Sequence, residues 1–368
     1  MFLRNYWYVA AWDHEIGREP FARTILGEPV VMYRTGHGRA VAFEDRCCHR
    51  HAPLSFGRVS GDNLQCGYHG LVYAPDGQVI GVPGQTQIPP GSGVRTYPLA
   101  ERWQFLWIWM GDPAAADESE IPELHWHDDP GWTMVSGYLQ VDAHYQLLVD
   151  NLLDLTHETF LHASTIGNEH VANTPLAKVQ RDTMDGVAGT ALERVARDIP
   201  SVTATRWMYG IDPPPFYARS GGFDKTGEKV DRWQIIRFEP PSHVWLDVGV
   251  ALAGSGAPDG DRSKGVTHTV IDALTPETAS STHYFWTFPR NHQLDDADLS
   301  DYFKKGVDKT FLEDKWMLEG QQKRMDAAPN SPFVDINADA GGVAARNIVA
   351  RLLEEERRGQ AAGELLQA

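Results

Sequence analysis

Only three of the 368 residues are cysteine, and all three lie between positions 47 and 66. So few, so close together, cannot staple a fold through disulfides, and the chain must hold itself together by burying a core. No stretch approaches the roughly 18 to 20 consecutive apolar residues of a membrane span. The opening MFLRNYWYVAAWDHEIG meets charge too soon to be a span or a cleavable signal. A reducing cytoplasm is therefore the expected compartment, with no membrane association. Basic residues are also scarce: 33 Lys and Arg stand against 50 Asp and Glu, a formal net charge of -17. Nucleic acid and anionic membrane surfaces are poor partners for such a chain, because neutralising phosphates needs clustered cations.

What is present is enough apolar residue, 42% of the chain, for two domains. The segments PVVMYRT, RAVAFED, LVYAPDGQVIG and RWQFLWIWMGDP read as short strands between turn signals, the last placing Trp103, Phe105, Trp107 and Trp109 on one face. The stretch GDPAAADESEIPEL, poor in large apolar residues and carrying Pro113 and Pro122, reads as a connector. The expected organisation is an all-β domain over residues 1–113 and an α+β domain over 114–368, the latter with a helical segment near 144–162, several strands, and helices near 299–326 and 341–358.

Cys47-x-His49 and, after sixteen intervening residues, Cys66-x-x-His69 offer one thiolate and one imidazole from each of two loops. A structural zinc site could use this set, but zinc does not require each loop to give one of each. A two-iron, two-sulfide cluster with His₂ on one iron and Cys₂ on the other fits the division, and Gly57, Gly67 and Gly70 would allow close backbone approach to it. Cys48 and His51 are surplus, read as loop packing.

A second constellation is DNLLDLTHETFLH, residues 150–162. Asn151, Asp154 and His157 recur every three residues on one helix face, but His162 follows His157 by five, so a helix must widen or break for the two imidazoles to share an ion. The spelling HETFLH is one residue too long for the H-E-x-x-H of a zinc protease, which argues against Glu158 as a general base.

Both motifs resemble those of the Rieske non-haem iron oxygenases: C-x-H…C-x-x-H at Cys47, His49, Cys66 and His69, and D-x₃-D-x₂-H-x₄-H at Asp150, Asp154, His157 and His162. The resemblance implies an all-β Rieske [2Fe-2S] domain followed by an α+β catalytic domain whose antiparallel sheet, of helix-grip type, is covered by helices. It further implies a mononuclear Fe(II) held by His157, His162 and a distant carboxylate. The segment KTFLEDKWMLEGQQ puts Asp314 at the matching position, beside Phe311 and Leu318 on a helical wheel, with Glu313 as the rival. By the same resemblance Asp154 is a bridging aspartate between His157 and His69 of a neighbouring copy in a head-to-tail homotrimer, and Asn151 sits near the iron.

No nucleotide fingerprint is present, since neither GSGVRT nor GHGRAV opens a helix after a strand. Electrons must therefore come from outside, and the resemblance implies NADH feeding a separate flavin- and ferredoxin-type reductase, with O₂ as co-substrate. The likeness runs through NYWYVA, HAPLSFG, CGYHGLV, PPPF, VDRWQI, PPSHV, LTPET and DAGGV to the vanillate O-demethylase branch of the family. It implies a monooxygenase that hydroxylates the methoxy carbon of a small aromatic substrate, vanillate or a related methoxybenzoate, to give a phenol and formaldehyde. The alternatives are a dicamba-like or toluenesulfonate-like methyl oxidation and, from a different class, a non-enzymatic electron-transfer or metal-binding module. Among pocket candidates, strand alternation aims Gln234 at the iron cavity, Asp272 would meet a phenol, and Arg219 would meet a carboxylate.

Overall fold

Among the short strands in the first third of the chain, Trp7–Trp12 and Phe105–Trp109 bury their side chains on both faces. In Phe105–Trp109 all five side chains are buried, each worth about 1.5–3 kcal/mol for the largest. The computed structural model describes residues 1–185 and 187–367, with side chains to residue 359. It divides into two units, Phe2–Ile121 with Thr275–Ala279, and Pro122–Leu274 with Ser280–Ala368.

The first unit holds three small antiparallel sheets. Trp7–Trp12, Phe105–Trp109 and Leu99–Arg102 make one; Phe21–Ile25, Glu28–Arg34 and Ala40–Glu44 a second; four short strands between Arg58 and Gly81 the third. Trp103 does not share the face of Phe105, Trp107 and Trp109: it occupies the hairpin turn, with φ of 59°. The division between the units falls past the expected 113/114 because the acidic connector stays fastened here. Trp7 Nε1 donates to the Asp117 carbonyl at 2.8 Å, and Arg102 to that of Glu118 at 3.0 Å.

The second unit is built on a seven-stranded antiparallel sheet in the order Thr133–Val141, Ser281–Arg290, Gly265–Thr278, His243–Leu252, Val230–Glu239, Val202–Ile211, Lys178–Arg181. Register sets its inner face: Gln234 lies opposite Val248, and Val248 opposite His268; one step along, Ile236, Leu246 and Val270 align. Polar and aliphatic positions therefore alternate on a surface that helices cover. The helix Ala297–Ala327 turns Phe303, Val307, Phe311, Asp314 and Leu318 inward. In the helix Ala340–Gln367 the pair Gly341 and Gly342 permits contact with Tyr145–Leu153, since a Cβ on Gly342 would stand 2.7 Å from Asp150 Oδ1.

The helical segment expected near 144–162 is broken, one of the two distortions that the spacing of His157 and His162 allows. Tyr145–Leu153 ends at Asp154, whose backbone is extended at φ -123°, ψ 96°; a 3₁₀ turn, Leu155–His157, and a short helix, Glu158–Leu161, follow. Asp154 causes the restart as well as the stop. Its carboxylate accepts from the Thr156 N–H at 2.9 Å, capping the new turn.

Candidate metal centres

The break brings the two imidazoles together. His157 and His162 have ring centroids 5.1 Å apart at 77°, and Asp314 from the long helix places Oδ1 3.1 Å from His162 Nε2 and 3.4 Å from His157 Nε2. Three ligand atoms bound at about 2.0–2.2 Å around one ion stand about this far apart. The other ring nitrogens are occupied so as to leave both Nε2 atoms facing inward. His157 Nδ1 meets the Asp154 main-chain carbonyl at 2.7 Å, and His162 Nδ1 meets Glu313 Oε2 at 2.8 Å. Glu313, the rival to Asp314, thus sits on the far side of His162. Asn151 Nδ2 lies 3.1 Å from Asp314 Oδ1 and 3.4 Å from His157 Nε2.

The electrostatics follow from the packing. Burial would raise the Asp314 carboxyl, but the two imidazoles outweigh it and hold it at about 2. Burial alone would lower both histidines; Asp314 reverses this and raises them. This trio, with Asn151, Glu158 and Thr310, forms the polar part of a cavity whose remaining surface is mostly apolar: Leu246, Val248, Val270 and Phe288 from the sheet, with Phe216 and Tyr217 from the helix Pro215–Gly221.

Glu158, also on the cavity wall, is spent on the sheet: Arg232 Nη2 donates to its Oε2 at 2.7 Å and Gln234 Nε2 to its Oε1 at 3.0 Å. The three expected pocket residues stand elsewhere. Gln234 faces inward, as alternation predicts, but is held between Glu158 and Arg206, whose Nη1 donates to its Oε1 at 2.9 Å, and does not line the cavity. Asp272 is fully buried behind the wall, accepting from the Tyr284 hydroxyl at 2.8 Å. Arg219 lies 4.0 Å above the Tyr302 ring and also misses the cavity. The Asp154 carboxylate is held by Thr156; its contact with His157 runs through the carbonyl. Sequence reasoning passed over His268, completely buried, with no hydrogen-bond partner for either ring nitrogen among the described residues, and pushed down to about 3 by burial and then by His292 and Arg290. Its signal was period-two placement beside Val270.

In the first unit the two candidate cluster loops share one hydrogen-bond pattern. Cys47 N–H donates to Ala52 O and His51 N–H to Cys47 O, both at 2.9 Å; Cys66 N–H donates to Leu71 O at 2.8 Å and Gly70 N–H to Cys66 O at 3.1 Å. The surplus His51 is therefore the counterpart of Gly70, and both adopt left-handed backbone, φ 56° and 77°. Gly57 and Gly67 serve the approach of these loops to each other: a Cβ on Gly57 would lie 2.1 Å from Gln65 O, and one on Gly67 2.4 Å from Phe56 O. Cys47 and Cys66 are buried among Tyr33, Phe43, Leu54 and Leu64, while His49 and His69 are exposed with ring centroids 4.6 Å apart. Sulfur inside and imidazole outside is the division a His₂Cys₂ cluster demands. The Tyr73 hydroxyl donates to Cys47 Sγ at 3.0 Å and also contacts Cys48 Sγ at 3.2 Å, which accounts for the third cysteine.

Comparison with known proteins agrees with both halves. Residues 6–98 match the Rieske [2Fe-2S] domain, and residues 141–355 match the vanillate O-demethylase oxygenase C-terminal domain. The toluene-4-sulfonate monooxygenase system iron-sulfur subunit of Comamonas testosteroni is 43% identical over 365 residues, covering 98% of this chain and all of that protein. The vanillate O-demethylase oxygenase subunit of Pseudomonas sp. (strain HR199 / DSM 7063) is 39% identical over 360 residues, covering 97% and 96%. The crystal structure of dicamba monooxygenase bound to dicamba superposes with a TM-score of 0.81 at 31% identity, covering 97% of this chain and 99% of that one.

A cluster-bearing β domain joined to a sheet-and-helix domain with a two-histidine, one-carboxylate centre defines an oxygenase fed by an electron-transfer cluster. The chain belongs to the Rieske non-haem iron oxygenases, enzymes that carry a [2Fe-2S] cluster and a mononuclear iron. The residues present fit both groups: inward Nε2 atoms beside one buried carboxylate for the iron, two buried thiols beside two exposed imidazoles for the cluster.

Proposed function

We propose that this protein is the oxygenase component of an aromatic O-demethylase, hydroxylating the methoxy carbon of vanillate or a related methoxybenzoate. The observation that carries the reading is the position of His157, His162 and Asp314 on the wall of a cavity lined for the most part by Leu, Val and Phe, suited to an aromatic ring. The balanced reaction takes ArOCH₃, O₂, two electrons and two protons to ArOCH₂OH and water, and the hemiacetal then breaks to phenol and formaldehyde. Iron bound by the trio supplies O₂ activation, and the cluster bound by Cys47, Cys66, His49 and His69 supplies single electrons. The protein's own part is to orient and to exclude. The Asp154 carbonyl and Glu313 fix the two histidine tautomers, Asn151 donates to Asp314 Oδ1, and the aliphatic wall keeps water from the reacting carbon.

The supply of electrons from NADH through a separate reductase belongs to the same reading, as does a homotrimer in which the cluster of one copy serves the iron of the next. The exposed cluster histidines, flanked by Phe56 at 81% and Tyr68 at 68% exposure, favour transfer outward to another protein surface. In that assembly the Asp154 carboxylate, which leaves His157 to its carbonyl, is available to a neighbouring His69. Three cysteines that form no disulfide suit a reducing cytoplasm.

The second reading, hydroxylation of a ring methyl on an aromatic sulfonate, rests on the 43% identity to the toluene-4-sulfonate protein. One experiment separates the two. The loaded protein with a compatible reductase and NADH is offered vanillate, 4-methoxybenzoate and 4-toluenesulfonate. Formaldehyde from the methoxy acids supports demethylation; a benzylic alcohol from the sulfonate alone replaces it with the second reading.

A further inference from the structure

We propose that Gly306 is a specificity-determining position: by leaving room for the Phe216 ring, it sets how bulky an aromatic substrate the iron cavity admits. The inference rests on the reading of that cavity as the substrate site, and it adds a device that sorts substrates by width.

Gly306 lies inside the helix Ala297–Ala327, beside Val307 and one turn before Thr310, both of which line the cavity. Its carbonyl accepts from the Thr310 hydroxyl at 3.0 Å, and its backbone is ordinary helix with no left-handed φ. A glycine in a helix interior is less stable than an alanine, and here its freedom in φ is not used. What the missing side chain supplies is space. A Cβ at Gly306 would stand 2.9 Å from Phe216 Cε2 and 3.3 Å from Phe216 Cδ2, whereas one at Gly320 in the same helix would meet nothing within 4 Å. The close approach belongs to this position.

Phe216 is buried, belongs to the helix Pro215–Gly221 and lines the cavity. Other rings hold it in place. Their centroids lie 5.0 Å away for Phe303, 5.6 Å for Phe288, 5.8 Å for Tyr302 and 6.2 Å for His268. Of these only Phe288 also lines the cavity, so the packed sides of the Phe216 ring face away from the cavity and its open side faces into it. The atoms that a Cβ at Gly306 would meet are a ring edge and not backbone, so the ring gives way before the helix does. Close-packed aromatic neighbours leave no void to receive it. The direction left is the cavity, and a side chain at 306 therefore narrows the substrate site through Phe216 without touching an iron ligand.

The test measures binding by calorimetry on the metal-loaded protein, without reductase and under anaerobic conditions. The probes are 4-methoxybenzoate and the wider 3,4-dimethoxybenzoate, and the readout is the ratio of their Kd values. Gly306→Ala should weaken the wider acid roughly 10- to 100-fold and the narrower one less than about threefold, the scale on which an apolar pocket senses a methylene. Adding Phe216→Leu, which removes the ring edge, should bring the ratio back to wild type or below it. Phe216→Leu alone should move the ratio toward the wider acid, and this variant carries the test if Gly306→Ala fails to fold, judged by cluster absorbance and circular dichroism. A general disturbance of the helix would weaken both acids alike and would not be rescued. Equal weakening of the two acids, an unchanged ratio in Gly306→Ala, or a ratio that Phe216→Leu does not move would overturn the assignment. A wild type that binds both acids but, given reductase and NADH, releases formaldehyde from neither would instead overturn the proposed reaction and leave Gly306 as the width determinant; one that binds neither overturns both.

Discussion

Asp272 is a carboxylic acid that the fold keeps neutral, and this gives a stability profile with a predictable sign. Burial, with a further contribution from Asp314 and some opposition from the Tyr284 hydroxyl, pushes its pKa up to about 8. An unfolded Asp titrates near about 3.9, so the folded form binds its proton more tightly. The contribution is fully present below about pH 4 and is lost as pH rises through about 8, because above pH 4 unfolding releases a proton. At about 1.4 kcal/mol per unit, the loss between pH 5 and pH 8 is on the order of 3–4 kcal/mol. For a unit of this size that corresponds to roughly 10 °C in Tm. Asp272→Asn keeps an oxygen for the Tyr284 O–H and cannot ionise. The measurement is the difference in Tm between variant and wild type from pH 5 to pH 8.5, in which other titrating groups and the cofactors cancel. Asn should gain on Asp steadily as pH rises, then level off above pH 8. Parallel profiles would show that Asp272 is ionised or solvated at neutral pH, and the burial argument would fail.

Replacing Asp314 by Ala should abolish mononuclear iron while the cluster spectrum persists, read by metal analysis beside visible absorbance; iron retained at wild-type occupancy would remove Asp314 from the ligand set. Gly167→Ala would put a Cβ 1.9 Å from the Glu158 carbonyl, and because the obstacle is backbone, the turn carrying His162 must shift. A cost of about 1–3 kcal/mol in thermal or urea unfolding and a weakened iron site are expected. Tyr73→Phe removes a donor to Cys47 Sγ and should lower the cluster potential by about 20–60 mV, the equivalent of one hydrogen bond of about 0.5–1.5 kcal/mol, as measured by voltammetry. Asp154→Asn should hold both metals and lose turnover; undiminished NADH-coupled activity would rule out a bridging carboxylate.

How much of this could be read from the chain depended on whether the deciding partner was near in sequence. The five-residue step from His157 to His162 demanded a distorted helix, and the distortion is there. Its form was hidden, because capping by Asp154 competes with helix continuation on nearly equal terms. Alternation correctly turned Gln234 inward, yet its partners Glu158 and Arg206 lie 76 and 28 residues away, and nothing local announces that they consume its amide. Asp314 and Glu313 differ by one helical step of about 100°, so a wheel favours one but does not reveal that the other reaches His162 Nδ1. Arg219 failed for a similar reason. Whether a residue near the end of a short helix faces a cavity or a tyrosine depends on how that helix docks, which composition does not specify. The equivalence of His51 and Gly70 escaped because the loops CCHRH and CGYHG place their histidines differently, and only the backbone hydrogen bonds align them.

The use of the Asp154 main chain, not its carboxylate, to hold His157 separates two functions that one residue would otherwise confuse. A carbonyl has no protonation state to change, so the His157 tautomer is insulated from events at the carboxylate. The carboxylate caps the Leu155–His157 turn through the N–H and hydroxyl of Thr156 while remaining partly accessible, 3.9 Å from Arg206.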